Sequence, residues 1–62
     1  MNEVMNIKKI RKKLKISQQE FAKICGLSRT YISNLENDKI HNPGIKTVET
    51  IKKSIIDYIF LN

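Results

Sequence analysis

Hydrogen-bonding side chains cluster on one side of a predicted helix near the middle of the 62-residue chain. They are Arg29, Thr30, Ser33, Asn34 and Asn37. A helix surface that only faces solvent usually carries Lys and Glu, whereas these side chains combine donors with acceptors. No acidic residue occurs between Leu27 and Leu35, so the positive end of the helix dipole is open to an anion such as phosphate. The pattern favours recognition by hydrogen bonding.

Neither catalysis nor metal binding is indicated by the reactive residues. Cys25 is the single cysteine, and no His is placed to join it in a metal site. No base stands near Cys25 to activate it as a nucleophile, so we interpret it as a core residue. No acid–base pair or phosphate-binding loop occurs either. We therefore expect no enzymatic activity, no cofactor and no metal.

The first of two helices that position the polar cluster is predicted over about residues 18 to 25. Ser17 is a natural N-cap, because its hydroxyl can accept a hydrogen bond from a free amide of the first turn. Glu20 follows three residues later and can reach back to the Ser17 amide, which would complete a capping box. The apolar residues that share one face of this helix are Phe21, Ile24 and Cys25.

The second helix, over about residues 29 to 37, follows a turn at Gly26. Glycine permits the positive φ of a tight helix ending, where a Cβ would clash. Ser28 is the predicted N-cap of this helix, and Ile32 with Leu35 point back at the first helix. Two helices separated by a short glycine-containing turn indicate a helix-turn-helix.

The stretch resembles the Cro/repressor-type helix-turn-helix, the lambda-repressor-like or XRE group. The resemblance rests on a small residue where the helices approach, a turn residue, and two core positions of the second helix, namely Ala22, Gly26, Ile32 and Leu35. Arg11 and the run Ile-Ser-Asn-Leu-Glu-Asn at 32–37 also fit, so the resemblance covers about residues 7 to 55. Asp38 departs from the pattern, because the family usually has Gly there.

The resemblance implies an all-α fold, a compact lambda-repressor-like bundle of four to five helices in a single domain over residues 1–62. Helix 3, over about residues 29–37, would lie in the major groove of double-stranded DNA, and the N-terminus of helix 2 would dock on the backbone. The implied base-reading residues are Ser28, Arg29, Thr30 and Asn34. The implied phosphate-binding residues are Gln18, Asn37 and Lys39. The chemistry agrees, since Arg can bridge guanine O6 and N7, Asn can pair with adenine, and a Thr methyl can meet thymine.

Three further residues belong to the expected site. Tyr31 could hydrogen-bond a phosphate or lie half-buried, and the sequence leaves both open. Arg11 lies on the edge of the first apolar stripe, and in the resembled family the matching Arg pairs with the Glu that matches Glu36. Burying either charge alone would be costly. The resemblance therefore implies a structural ion pair that holds helix 1 to helix 3.

The charge balance favours a polyanionic partner. The net charge is +6, from 12 Lys and Arg against 6 Asp and Glu, which attracts nucleic acid first and an anionic membrane second. The sequence has no apolar run near the roughly 20 residues that span a bilayer and no signal-peptide core at its start. The lone cysteine suits a reducing compartment. We therefore expect a cytoplasmic protein.

The ends of the chain leave alternatives open. Asn2 or Asn6 can cap the first helix, whose apolar pattern includes Val4, Ile7 and Leu14. Ile40 is expected to reach the core from the loop before helix 4, which is predicted to begin near Ile45. No Gly or Pro interrupts the chain after that point, so helix 4 either continues or breaks only weakly.

The apolar C-terminus either closes the core or forms a dimer contact, as the resemblance implies. Its residues exceed what one helix can hide on a narrow stripe, and the candidate dimer contacts are Ile59, Phe60 and Leu61. A dimer implies a palindromic operator. The leading interpretation is thus a sequence-specific DNA-binding transcriptional regulator, expected to be a repressor. The alternatives are a protein-interaction module that uses the apolar C-terminus and has lost DNA binding, and a membrane-surface domain built on the basic first helix.

Overall fold

Four α-helices make up the computed structural model, which describes residues 6–61. They are α1 (Ile7–Leu14), α2 (Gln18–Cys25), α3 (Arg29–Glu36) and α4 (Ile45–Leu61). No strand occurs within residues 6–61, so the predicted all-α class is confirmed. The expectations for Asn2 and Val4 lie outside the described residues. None of these four helices has the length and hydropathy of a membrane-spanning segment.

Each of the three short helices begins at a side-chain cap. Asn6 Oδ1 accepts from the Lys9 amide at 3.3 Å, which selects Asn6 as the cap of α1. Ser17 Oγ accepts from the Glu20 amide at 3.0 Å, so this half of the predicted capping box is formed. Ser28 Oγ accepts from the Tyr31 amide at 3.0 Å. Helices of eight residues are marginal in isolation, so these caps and the packing of the core are what hold them.

Three residues adopt positive φ where helices end. Gly26 terminates α2 with φ 70°, as the sequence predicts, and Asp38 follows α3 with φ 58°. The third is Lys15, which ends α1 with φ 61° and was not expected to be left-handed. A side chain with a Cβ is strained in this conformation, whereas glycine is not. The α1–α2 connection is therefore tight but carries backbone strain.

A single core forms where the four helices meet. Its buried side chains are Ile7, Phe21, Ala22, Cys25, Ile32 and Ile51, all at most 5% exposed. Cys25 is thus a core residue as expected. Ile40 is only half-buried and does not join this cluster, so the expectation that it reaches the core is wrong. Its loop runs over the surface, where the backbone can meet water.

Helix α4 runs without a break through the region where a fifth helix was one alternative. At 17 residues it is about 25 Å long, whereas α1, α2 and α3 are each about 12 Å. The helix packs on the core through Ile51 and Ile55. Near its C-terminus, Ile59, Phe60 and Leu61 are 53%, 79% and 78% exposed. The alternative in which these residues close the core is therefore wrong.

The strain at Lys15 predicts opposite effects for one substitution at two neighbouring sites. Lys15→Gly should raise the free energy of unfolding by about 0.5–1 kcal/mol, because glycine adopts the left-handed conformation freely. Lys13→Gly, inside α1, should lower it by about 1 kcal/mol. Both lysines are exposed, and each variant loses one positive charge. Urea denaturation measures both, and a loss of stability in Lys15→Gly would contradict the strain at this position.

Candidate nucleic-acid interface

The turn between α2 and α3 fixes the direction in which α3 leaves the core. The Gly26 amide donates to the Lys23 carbonyl at 3.2 Å, and the Leu27 amide donates to the Ala22 carbonyl at 2.9 Å. Ala22 is 3% exposed and Ile32 is fully buried. The small side chain of Ala22 and the left-handed glycine let the two helices approach closely. The side of α3 opposite Ile32 consequently faces outward.

The outward side of α3 carries the predicted base-reading residues. Ser28, Arg29 and Thr30 are exposed at the N-terminal end of the helix, and Asn34 is half-buried one turn further along. The Ser28 hydroxyl accepts from the Tyr31 amide but keeps its own hydrogen to donate. The first amides of the helix have no intrahelical acceptor, which leaves them open to an anion. The exposed end of α3 can therefore present both side-chain and backbone donors.

The predicted phosphate-binding residues do not share one environment. Asn37 and Lys39 are exposed just beyond α3, whereas Tyr31 is half-buried. The side-chain nitrogen Nδ2 of Asn37 donates to Ser33 Oγ at 3.4 Å. The Lys39 backbone amide donates to the Asn34 carbonyl at 2.8 Å, which anchors the segment while its side chain faces solvent.

A largely buried ion pair ties α3 to α1. Arg11 Nε donates to Glu36 Oε2 at 2.7 Å, and Arg11 Nη2 donates to Glu36 Oε1 at 3.0 Å. The remaining guanidinium nitrogen, Nη1, donates to the carbonyl of Ile16 at 3.0 Å in the α1–α2 connection. The Arg11 side chain is 12% exposed and that of Glu36 is 1% exposed. The expected pair between helices 1 and 3 is therefore present, in the bidentate geometry that suits a carboxylate.

Gln18 is the predicted site residue whose surroundings differ most from the expectation. Its side-chain nitrogen Nε2 donates to Glu36 Oε1 at 3.0 Å, although the resemblance implied a phosphate contact. Gln18 and Glu36 are 18 positions apart, on different helices. Neither helical periodicity nor a capping pattern relates residues at that separation. The sequence therefore contained no local signal for this hydrogen bond.

The ionised states of the buried groups follow from these contacts. Burial opposes ionisation of Glu36, but the hydrogen bonds from Arg11 and Gln18 outweigh it and lower the pKa of the carboxyl. The hydrogen bond to Glu36 raises the pKa of Arg11. Burial raises the pKa of the Cys25 thiol, which keeps it in the unreactive form. Within residues 6–61, no group of three or more His, Cys, Asp or Glu side chains is placed to hold a metal ion.

Comparisons with known proteins agree with this architecture. A family model described as helix-turn-helix matches residues 7–53. The chain is also 40% identical over 45 residues to the immunity repressor protein of Bacillus phage phi105. That match covers 73% of this chain and 31% of the relative, so the chain spans about a third of that protein's length. No solved structure matches the chain at a significant level.

The buried ion pair predicts a large effect of removing one partner. Glu36→Ala should lower the free energy of unfolding by about 3 kcal/mol or more, because it leaves Arg11 charged and largely buried. Glu49→Ala is the control, since Glu49 is an exposed carboxylate on α4. Chemical denaturation measures both variants at pH 7. A loss near zero in Glu36→Ala would mean that the pair does not stabilise the fold.

The same variants should differ in acid. The pKa of Glu36 in the folded chain lies below its ordinary value of 4.5, so the unfolded chain binds the proton first. The stabilisation is therefore complete above about pH 4.5 and declines as the pH falls from there through the lower folded pKa. Glu49→Ala should retain this decline, and Glu36→Ala should lack the part that Glu36 contributes.

Proposed function

The chain belongs to the Cro/repressor-type helix-turn-helix family, and from that premise we propose that it is a sequence-specific double-stranded DNA-binding transcriptional regulator. The observation that carries the proposal is the exposed N-terminal end of α3, where Arg29 and Thr30 project from a helix held by a buried ion pair. A helix presented in this way is the reading element of helix-turn-helix proteins. The net charge of +6 supports a polyanionic partner.

The length of α3 suits the major groove of DNA. Its eight residues span about 12 Å, close to the width of that groove. Arg29 and Asn34 are separated by about 7.5 Å along the helix, or roughly two base-pair steps. We propose that Arg29 bridges guanine O6 and N7, that Ser28 and Thr30 meet adjoining base edges, and that Asn34 meets a base further along.

Backbone contacts would fix the register of this reading helix. We propose that Lys39 and Asn37 bind phosphates beyond the end of α3 and that the N-terminus of α2 docks on the other side of the groove. Tyr31 would donate to a phosphate from its half-buried position. Asp38 lies between Asn37 and Lys39 and places a negative charge beside this track. Its carboxylate would weaken the binding of phosphate there.

The relative supports a repressor over an activator. The phage protein is named an immunity repressor, and its resemblance to this chain extends through the helix-turn-helix. A non-enzymatic regulator also agrees with the absence of an acid–base pair in the sequence. We also propose that the protein acts in the cytoplasm, because its lone cysteine suits a reducing compartment.

The C-terminal end of α4 supports a homodimer. Ile59, Phe60 and Leu61 leave more apolar surface in solvent than scattered exposed residues would. If a second copy covers this surface, the two reading helices are related by a two-fold axis. The operator would then be palindromic, with half-sites centred about 10 base pairs apart.

A second candidate function rests on the same apolar surface. A protein-interaction module would use Ile59, Phe60 and Leu61 to bind a different protein and would not bind DNA. The charge of α3 separates the two candidates, because its outward side carries Arg29 and no acidic residue before Glu36. Salt-dependent binding to one DNA sequence would support the regulator and exclude the interaction module. Selection of binding sites from random DNA supplies that sequence.

Replacing a base-reading residue and replacing a phosphate-binding residue should change DNA binding in different ways. Arg29→Ala should weaken binding to the selected site by about 1–3 kcal/mol and relax preference at one base pair. Lys39→Ala should weaken binding to the selected site and to random DNA alike, and should reduce the salt slope by about one per subunit. Both are measured at fixed salt on a panel of single-base variants of the site.

A third variant separates the charge of Arg29 from its geometry. Arg29→Lys keeps the positive charge but loses the bidentate guanidinium, so the variant should lose its base preference while retaining most of its affinity for random DNA. If Arg29→Ala and Arg29→Lys both leave every base preference intact, α3 does not read the sequence as proposed.

The dimer predicts a cooperative loss when the apolar end of α4 becomes polar. Phe60→Ser combined with Leu61→Ser should shift the chain to monomer and weaken binding to a full palindromic site by about tenfold or more, with half-site binding unchanged. Ile45→Ser is the control, because Ile45 is 77% exposed at the other end of the same helix. Sedimentation and DNA titration measure the effects. A double variant that stays dimeric and binds the full site normally would exclude this interface.

A further inference from the structure

The Glu36 carboxylate needs more donors than Arg11 provides. Its side chain is 1% exposed, so water does not compensate it, and each carboxylate oxygen has two lone pairs to satisfy. Arg11 supplies one hydrogen bond to each oxygen, and Gln18 Nε2 supplies a second one to Oε1. A buried charge that loses one of its donors loses a hydrogen bond that water cannot replace. The Gln18 amide therefore has a structural task inside the protein.

The placement of Gln18 makes this task relevant to α3. Gln18 is the first residue of α2, Glu36 is the last residue of α3, and Arg11 lies on α1. The carboxylate of Glu36 is thus held by one donor group from α1 and one from α2. Arg11 alone would tie α3 to α1 but not to the start of α2. With Gln18 added, the C-terminal end of α3 is held at two points.

We propose that Gln18 is a positioning residue, whose side-chain amide holds Glu36 and so orients α3, and that it does not serve as an independent phosphate ligand. The DNA-reading consequence rests on the proposed function. Gln18 still contributes its backbone amide at the N-terminus of α2, which no side-chain substitution removes. The side chain acts on DNA through Glu36.

The hydrogen bond itself is tested without DNA by the titration of Glu36. The carboxyl carbon of Glu36 is followed by ¹³C NMR in the parent, Gln18→Leu and Gln19→Leu. Gln19 is the exposed neighbour of Gln18 on the same turn, so its variant is matched in size and chemistry. Gln18→Leu should raise the pKa of Glu36 relative to the parent, because the charged form loses a donor. Gln19→Leu should leave it unchanged.

The route by which Gln18 affects DNA binding is tested by a double-mutant cycle. The parent, Gln18→Leu, Glu36→Gln and the double variant are titrated with the selected DNA site and with random DNA at one salt concentration. Gln18→Leu should reduce the preference for the selected site by about tenfold, because an α3 held less firmly at its C-terminal end meets the base edges less well. In the Glu36→Gln background, Gln18→Leu should cause little further loss.

The outcomes separate this proposal from the proposed function. An unchanged pKa of Glu36 in Gln18→Leu overturns the positioning role. The role is also overturned if the double variant loses DNA affinity by the product of the two single losses, because Gln18 would then bind phosphate independently of Glu36. If Glu36→Gln does not fold, the titration of Gln18→Leu against Gln19→Leu decides. If the parent binds no DNA, the proposed function fails, whereas the titration still decides whether Gln18 holds Glu36.

Discussion

The fold depends on one buried negative charge. The side chain of Glu36 has almost no contact with solvent, and a carboxylate in that position is tolerated only if other groups replace its water. Arg11 and Gln18 do so from two different helices, and Arg11 also binds the carbonyl of Ile16 in the connection between them. The result is a polar network that spans α1, α2 and α3 beside the apolar core. Because these bonds form together only when all three helices are in place, the network favours a single arrangement over other packings of the same core.

The small size of the chain explains why this network matters. A domain of about 60 residues buries only about 60% of the surface of its unfolded chain, and within residues 6–61 six side chains form the buried core. Three of the four helices have eight residues and are marginal alone. Their caps satisfy free amides at each N-terminus, and the core holds them together and turns Ile32 of α3 inward. Glu36 adds a second, polar constraint on α3 at the end of the helix that carries Arg29 and Asn34.

Helix α4 combines two roles along one continuous element. Ile51 near its middle is fully buried and closes the core against α2, whereas Phe60 near its end is largely exposed. An uninterrupted helix keeps its apolar residues at the same angular spacing for its whole length, but the neighbours that cover them are only half as long. The exposed end is therefore a consequence of length. It leaves an apolar surface in solvent. If a second copy of the chain covers this surface, the DNA site would have two-fold symmetry.

The sequence by itself determined the elements and most of the candidate surface. Ser17, Ser28 and Gly26 mark helix boundaries through contacts within four residues along the chain, and such signals can be read locally. The spacing of Phe21, Ile32 and Ile51 identifies the buried faces for the same reason. The pairing of Arg11 with Glu36 came from the resemblance to a family, since 25 positions separate the two residues.

Only the tertiary structure decided which distant groups meet. The partner of Gln18 is 18 positions away, so its hydrogen bond depends on how α2 and α3 are packed and not on any local pattern. Lys15 is left-handed because it ends α1 in a Schellman turn, in which the Ile16 amide donates to the Arg11 carbonyl at 3.3 Å and the Lys15 amide to the Lys12 carbonyl at 3.1 Å. Ile40 and Leu61 are apolar in the sequence like the core residues, yet they lie outside the core, because burial depends on what stands opposite a side chain.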